Sequence, residues 1–194
     1  MIDKFYQPGQ RQLQEAFGSV QLADRLNKLI IHESLTEEEQ TFIRAQDMVF
    51  LSTIDETGQP TVSYKGGNPG FITVIDDRTL ALPGYDGNGM FLTAGNIASN
   101  NKVGLLFVNF EQPNRLRVHG TAEIVLDDPL LTTYPEAQYL IKITVTAIFM
   151  NCNRYVHPHK KLQTSEYVPQ HDCVTPEPEW KSMKYFQDVI PPKK

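Results

Sequence analysis

The spacing of hydrophobic positions changes from helical to strand-like near residue 48. Before that point, apolar residues recur at near-helical intervals over 10–31, and Gly18 divides the run into two predicted helices. A third helix is expected from Thr36, because its hydroxyl and Glu39 three residues later form a capping-box pattern. These helices precede every strand signal, so we expect them to pack against a sheet or a partner.

From residue 48 onward, short apolar runs separated by turn residues predict about seven strands. The expected strands span 49–54, 60–64, 71–75, 79–82, 103–110, 115–125 and 139–149. A short helix is expected over 94–100, and a helical or irregular piece near 128–136. Short turns between successive strands favour antiparallel pairing, and therefore an α+β barrel over a doubly wound parallel sheet.

The last part of the chain differs in composition. Prolines recur from residue 158 to residue 192 and exclude long regular elements, yet the aromatic content is too high for a free linker. We expect this tail to wrap over a surface. The predicted organisation is one domain over 1–194, with a helical lead-in at 10–46, a barrel at 48–150 and a wrapping tail at 151–194.

Charge and composition exclude several classes of protein. The net charge is −5 and no basic residues cluster on one predicted face, which argues against a nucleic-acid partner. No apolar run approaches the roughly 18 residues of a membrane-spanning helix, and the first ten residues lack a secretory pattern. We therefore expect a soluble cytoplasmic protein without a membrane partner.

The two cysteines and the nearby histidines offer little obvious chemistry. Two cysteines are too few for a disulfide scaffold, and the position of Cys152 after an apolar strand favours a buried small residue over a reactive thiol. His157, His159, His171 and Cys173 are residue types that zinc accepts, but their spacing matches no familiar structural zinc pattern. No metal site is expected.

The segment 82–120 carries the densest signals for a ligand. Gly84, Gly87 and Gly89 let a ligand approach bare backbone, although a plain hairpin connection is the alternative interpretation. The helix that follows would direct unpaired N–H groups and its positive dipole end at an anion. The apolar run 103–110 suggests a strand covered on both faces, which requires a second sheet, a helix or another subunit.

A set of short motifs follows in a fixed order along the chain. The motifs are Phe50–Pro60, Ser63–Gly67, Pro69–Phe71, Gly87–Asn88, Asn96–Ile97 with Asn100, Val103–Phe107, and Leu116–Val118 with Gly120. Together they resemble the pyridoxamine 5'-phosphate oxidase-related flavoproteins with the FMN-binding split barrel. Asn151–His157 is similar to a C-terminal motif in one branch of that family. The resemblance runs from about residue 5 to residue 188.

The resemblance implies a homodimer that holds FMN in clefts lined by both subunits. The candidate cofactor-binding residues are Ser63, Tyr64, Lys65, Phe71, Asn88, Gly89, Met90, Thr93, Asn96, Arg117, Arg154 and Tyr155. Lys65 and Ser63 could supply charge and a hydroxyl, and Tyr64 or Phe71 could border the flavin ring. Each has a plainer alternative: a solvated strand-end lysine, for example, or an aromatic residue of the core or an interface.

One position departs from the family pattern. Relatives in this branch usually carry arginine or lysine and then serine before the Asn-Ile pair, where this chain has Leu92 and Thr93. A charge-assisted bond to phosphate contributes about 1.5–3 kcal/mol, so FMN binding weakens by roughly 10- to 100-fold unless another cation stands in. Arg154 of the partner subunit is the preferred substitute, with Arg117 and Lys65 as alternatives.

Two function classes follow from these observations. The first is a flavoprotein oxidoreductase that transfers a hydride between FMN and an unidentified small molecule, with no catalytic side chain identified. The second is a non-catalytic dimer that stores or senses FMN or another flat anionic ligand, and Leu92 gives this alternative its weight. Pyridoxamine 5'-phosphate oxidase activity itself is less favoured, because the basic pattern of the true oxidase is missing from the matching loop.

Overall fold

Three short helices open the computed structural model, which describes residues 5–191. They are α1 (Pro8–Ala16), α2 (Val20–Leu29) and α3 (Glu37–Arg44). Gly18 adopts a left-handed φ of 65° and separates α1 from α2, as predicted. The capping box also forms: the Thr36 hydroxyl accepts from the Glu39 N–H at 3.3 Å, and the Glu39 carboxylate accepts from the Thr36 N–H at 2.9 Å.

Seven strands follow and form one antiparallel sheet in the order β2-β1-β5-β6-β7-β4-β3. Their bounds are β1 Met48–Ile54, β2 Pro60–Gly66, β3 Thr73–Val74, β4 Thr79–Gly84, β5 Lys102–Asn109, β6 Asn114–Val125 and β7 Tyr139–Asn151. Helix α4 (Leu92–Ser99) lies between β4 and β5, and short 3-10 helices occupy Pro129–Thr133 and Glu179–Ser182. The predicted α+β antiparallel split barrel with N-terminal helices is confirmed.

Two predicted features differ in detail from the structure. Strand β3 is only two residues long, because Phe71 closes a turn onto the Asn68 carbonyl at 2.9 Å and enters the core without strand pairing. The strand within 103–110 buries Leu105 and Phe107 on its inward face, whereas Leu106 on the outward face stays partly exposed. One chain therefore covers a single face of β5 fully.

The lead-in is fastened to the barrel by a backbone bridge and a side-chain pair. The His32 and Ile148 main chains exchange hydrogen bonds of 3.2 and 2.8 Å, which attach the segment after α2 to β7. The His32 ring lies 3.1 Å from the Glu39 carboxylate at the start of α3. Phe5 packs edge-on against Phe149 at a centroid distance of 5.6 Å. Helices α1 and α2 consequently lie beside the outward face of β6 and β7.

The tail follows the barrel through polar contacts. Lys161 pairs with Asp47, and Asn68 with Gln170 at 3.1 Å. The prediction that Cys152 is buried was wrong: its side chain is exposed. Strand β7 ends one residue earlier, and the chain turns outward there, with the Cys152 carbonyl accepting from Arg115 Nε at 2.8 Å.

None of the helices described between residues 5 and 191 is long and apolar enough to cross a membrane.

Candidate functional site

Polar side chains meet where helix α4 covers the inward face of β1 and β2. Strand alternation points Ser63 and Lys65 inward beside Leu51 and Val49, their register partners on β1. The Ser63 hydroxyl lies 3.1 Å from the Thr93 hydroxyl of α4. We call this set the α4 polar row; its members are Thr53, Ser63, Lys65, Thr93 and Asn96.

Asn96 and Thr53 extend the row toward the far end of β1. Asn96 Nδ2 donates to the Thr53 hydroxyl at 3.0 Å, which orients the amide with its oxygen available as an acceptor. Thr53 is buried and was not among the predicted site residues. A sequence signal for it exists, because Thr53 is a polar residue in the inward register of Val49 and Leu51. Two hydrogen-bonded pairs, Ser63–Thr93 and Asn96–Thr53, therefore join α4 to β2 and β1, and Lys65 lies on the same face of β2 as Ser63.

Lys65 is the cation of the α4 polar row. It is half-buried, and this burial lowers the pKa of its ammonium group. No carboxylate of residues 5–191 lies within ion-pair distance of it. A partly desolvated cation without an anion nearby is costly, so the site suits an anionic ligand.

The glycine-containing loop leads into α4 with a left-handed backbone. Gly89 has φ 77° and Phe91, the N-cap residue, has φ 49°. Phe91 offers no side-chain acceptor to the first turn, which leaves those N–H groups for solvent or a ligand. Asn88 and Met90 are exposed in this loop, and Asn88 Oδ1 accepts from the Met90 N–H at 3.1 Å.

Leu92, the first residue of α4, is 51% exposed next to Thr93. Helix α4 carries no basic side chain anywhere along its length. Lys65 is thus the positive charge that one chain brings to the α4 polar row.

The remaining predicted residues lie elsewhere in the chain. Tyr64 points outward from β2, with its ring 6.1 Å from Phe50, and Phe71 is buried in the core. Arg117 lies on β6 and on the outward face, since Val118 beside it points inward with Leu105. Arg154 and Tyr155 are exposed in the tail, where Arg154 Nε donates to Cys152 Sγ at 3.1 Å.

The arrangement can be compared with known proteins. The sequence profile described as pyridoxamine 5'-phosphate oxidase matches residues 35–162, about two thirds of the chain. The chain belongs to this family. The match spans β1 to β7 and includes the whole α4 polar row, whereas α1 and α2 lie outside it. No curated protein matches the chain significantly.

Solved structures of the same fold include two bacterial proteins. Tagged HupZ of Group A Streptococcus is 23% identical, with a TM-score of 0.51 over 64% of this chain and 99% of HupZ. A candidate pyridoxamine 5'-phosphate oxidase from Lactobacillus delbrueckii is 26% identical, with a TM-score of 0.50 over 61% of this chain and 95% of its own. The family resemblance predicted from the sequence is confirmed.

Proposed function

We propose that two copies of this chain bind FMN between them and transfer a hydride between the flavin and a small molecule. The observation that carries the proposal is the half-buried Lys65 beside the paired hydroxyls of Ser63 and Thr93. Membership of the pyridoxamine 5'-phosphate oxidase family supports it, as does the likeness to the Lactobacillus delbrueckii protein with that description.

The α4 polar row fits the phosphate and ribityl parts of FMN. A phosphate dianion needs a cation and hydrogen-bond donors, and here Lys65, the two hydroxyls and the first N–H groups of α4 supply them. The Asn96 amide oxygen would accept from a ribityl hydroxyl. The exposed loop residues Asn88, Gly89 and Met90 would lie beside the ligand, where the absence of a side chain at Gly89 permits close approach.

FMN when bound supplies the hydride-transfer chemistry at its ring. The residues of the α4 polar row bind and orient it. Lys65 is the only titratable member of the row, so the row neutralises and positions the cofactor and leaves proton transfer to substrate or solvent. We assign a catalytic role to none of the described side chains.

We propose that the second copy packs against the outward face of β2. Val62 is 66% exposed and Tyr64 63% exposed, next to the partly exposed Phe50 and Leu106 on neighbouring strands. A contiguous apolar patch on a sheet edge marks an interface. A homodimer through this face would cover the second face of β5. Because β2 is the edge strand of the sheet, the partner would also reach the α4 polar row around that edge, where Arg154 of the partner subunit would offer the cation that Leu92 does not. Sedimentation as a monomer at micromolar concentration would contradict the dimer.

The experiment starts with the absorbance spectrum of the purified protein, followed by an FMN titration monitored by flavin fluorescence. We expect saturable binding that Lys65→Met weakens about tenfold or more, because a charge-assisted phosphate contact is lost. The matched control is Lys28→Gln, which removes an exposed lysine in the last turn of α2. A colourless protein that gains no flavin signal would refute the proposal.

A non-catalytic FMN-binding or storage dimer is the second candidate, because Leu92 leaves the start of α4 without the usual cation. Anaerobic addition of NADH or NADPH to the FMN complex separates the two. Rapid bleaching of the flavin supports the oxidoreductase. If neither NADH nor NADPH reduces the bound flavin, the non-catalytic binding or storage dimer is favoured.

A further inference from the structure

A cavity lies on the opposite face of the sheet from the α4 polar row. It has a volume of about 560 Å³ and lies between the lead-in helices and the outward face of β6 and β7. Cavities of this size accommodate small organic molecules. Its apolar walls come from Phe5, Leu26, Ile31, Ala147 and Phe149. We call it the outer pocket.

Arg117 gives the outer pocket its charge. The guanidinium lies 5.7 Å from the centre of the Phe149 ring. Within residues 5–191 no carboxylate pairs with Arg117, and no aspartate or glutamate lines the pocket. A half-buried guanidinium with a free planar fork of N–H donors binds carboxylates in a bidentate manner. The electrostatics of the pocket therefore favour a monoanion.

His119, Phe5 and Phe149 form an aromatic cluster at the pocket. The His119 ring is nearly parallel to Phe5 at 6.1 Å and edge-on to Phe149 at 5.6 Å. Burial, and secondly the charge of Arg117, lower the pKa of His119, so the imidazole is neutral at pH 7. It offers a hydrogen-bond donor and acceptor without adding charge. An aromatic ligand ring can pack on this cluster in a stacked or edge-to-face arrangement.

We propose that the outer pocket binds a small aromatic carboxylate, whose carboxylate pairs with Arg117 and whose ring packs against Phe5, His119 and Phe149. The single cation matches one negative charge, which favours a carboxylate over a phosphate dianion. This site is separate from the FMN site proposed above, because Arg117 and Ser63 lie on opposite faces of the sheet and on non-adjacent strands. The proposal does not depend on FMN binding.

The test uses 2-naphthoate as the probe and 2-naphthylmethanol as its uncharged counterpart, both titrated by calorimetry and ligand-observed NMR. We expect Arg117→Gln to weaken 2-naphthoate binding about tenfold or more and to change 2-naphthylmethanol binding by less than about twofold. Arg115→Gln is the matched control. Arg115 shares the strand and face of Arg117 but lies outside the pocket, and its Nε donates to the Cys152 carbonyl at 2.8 Å.

A second variant tests the cavity itself without disturbing the core. Thr146 lines the pocket and is exposed, so Thr146→Trp should fill the space and abolish binding of both probes. The proposal is overturned if wild-type protein binds no 2-naphthoate at millimolar concentration, or if Arg115→Gln and Arg117→Gln weaken it equally. It is also overturned if Thr146→Trp leaves probe binding intact, or lowers the sedimenting mass, since a second copy would then be the occupant.

Discussion

Replacing Leu92 with arginine is expected to tighten FMN binding by about tenfold. Leu92 opens α4, half-exposed, and precedes Thr93, whose hydroxyl lies 3.1 Å from that of Ser63. A charge-assisted bond to phosphate contributes about 1.5–3 kcal/mol, or roughly 10- to 100-fold in Kd. The cost of placing a cation at a helix N-terminus, about 0.3–1 kcal/mol, is the same in the free and the FMN-bound protein, so it lowers folding stability without changing Kd. Partial exposure screens the new charge, which puts the expectation near the lower end of that range.

The measurement is FMN titration by quenching of flavin fluorescence at two ionic strengths. Leu92→Gln controls for the loss of leucine without adding charge. Leu126→Arg, at an exposed position just after β6, controls for the change in net charge. The reasoning fails if Leu92→Arg binds FMN no more tightly than Leu92→Gln, or if Leu126→Arg gives the same gain.

Three further changes have definite expected outcomes. Lys65→Met should raise the thermal stability of the ligand-free protein at neutral pH. Because burial lowers the pKa of Lys65, the unfolded chain binds more protons than the folded chain at pH values between that lowered pKa and the ordinary lysine pKa. The free energy of unfolding of the wild type should therefore rise with pH across this window. Lys65→Met should remove that part of the pH dependence, measured by denaturant unfolding. Gly120→Ala should cost about 1–3 kcal/mol in urea unfolding, since its Cβ would lie 2.6 Å from the Thr144 carbonyl oxygen. Cys152 should be alkylated readily by iodoacetamide, because hydrogen bonds from the backbone and side chain of Arg154 lower the pKa of its thiol. Mass spectrometry should find slower labelling in Arg154→Gln, and equal rates would contradict this account.

The helices and strands were predictable because their signals are local. The Thr36 capping box, the break at Gly18 and the alternation of β2 each depend on residues a few positions apart. Strand β3 was predicted too long for the same reason. Its apolar run 71–75 has strand character, but the turn that begins at Asn68 places the first residues of this run in the core, where they do not pair with a strand.

The candidate site was predictable only in part. Ser63, Lys65, Thr93 and Asn96 were selected from the family motifs, and the structure places them on the inward face of β2 and on the helix that covers it. Thr53 was missed, because its role depends on contact with a helix more than forty residues away. The exposure of Cys152 depends equally on the path that the chain takes after β7.

The sequence alone determined the order and type of the elements and the family, since these follow from short-range periodicity and motif order. Only the tertiary structure decided which side chains share a space. The outer pocket joins Phe5 to residues more than a hundred positions later, and no local pattern records that contact. The packing of the lead-in against β6 and β7 encloses Arg117 beside the aromatic cluster of Phe5, His119 and Phe149. This enclosure is what makes the outer pocket a candidate site for an aromatic carboxylate.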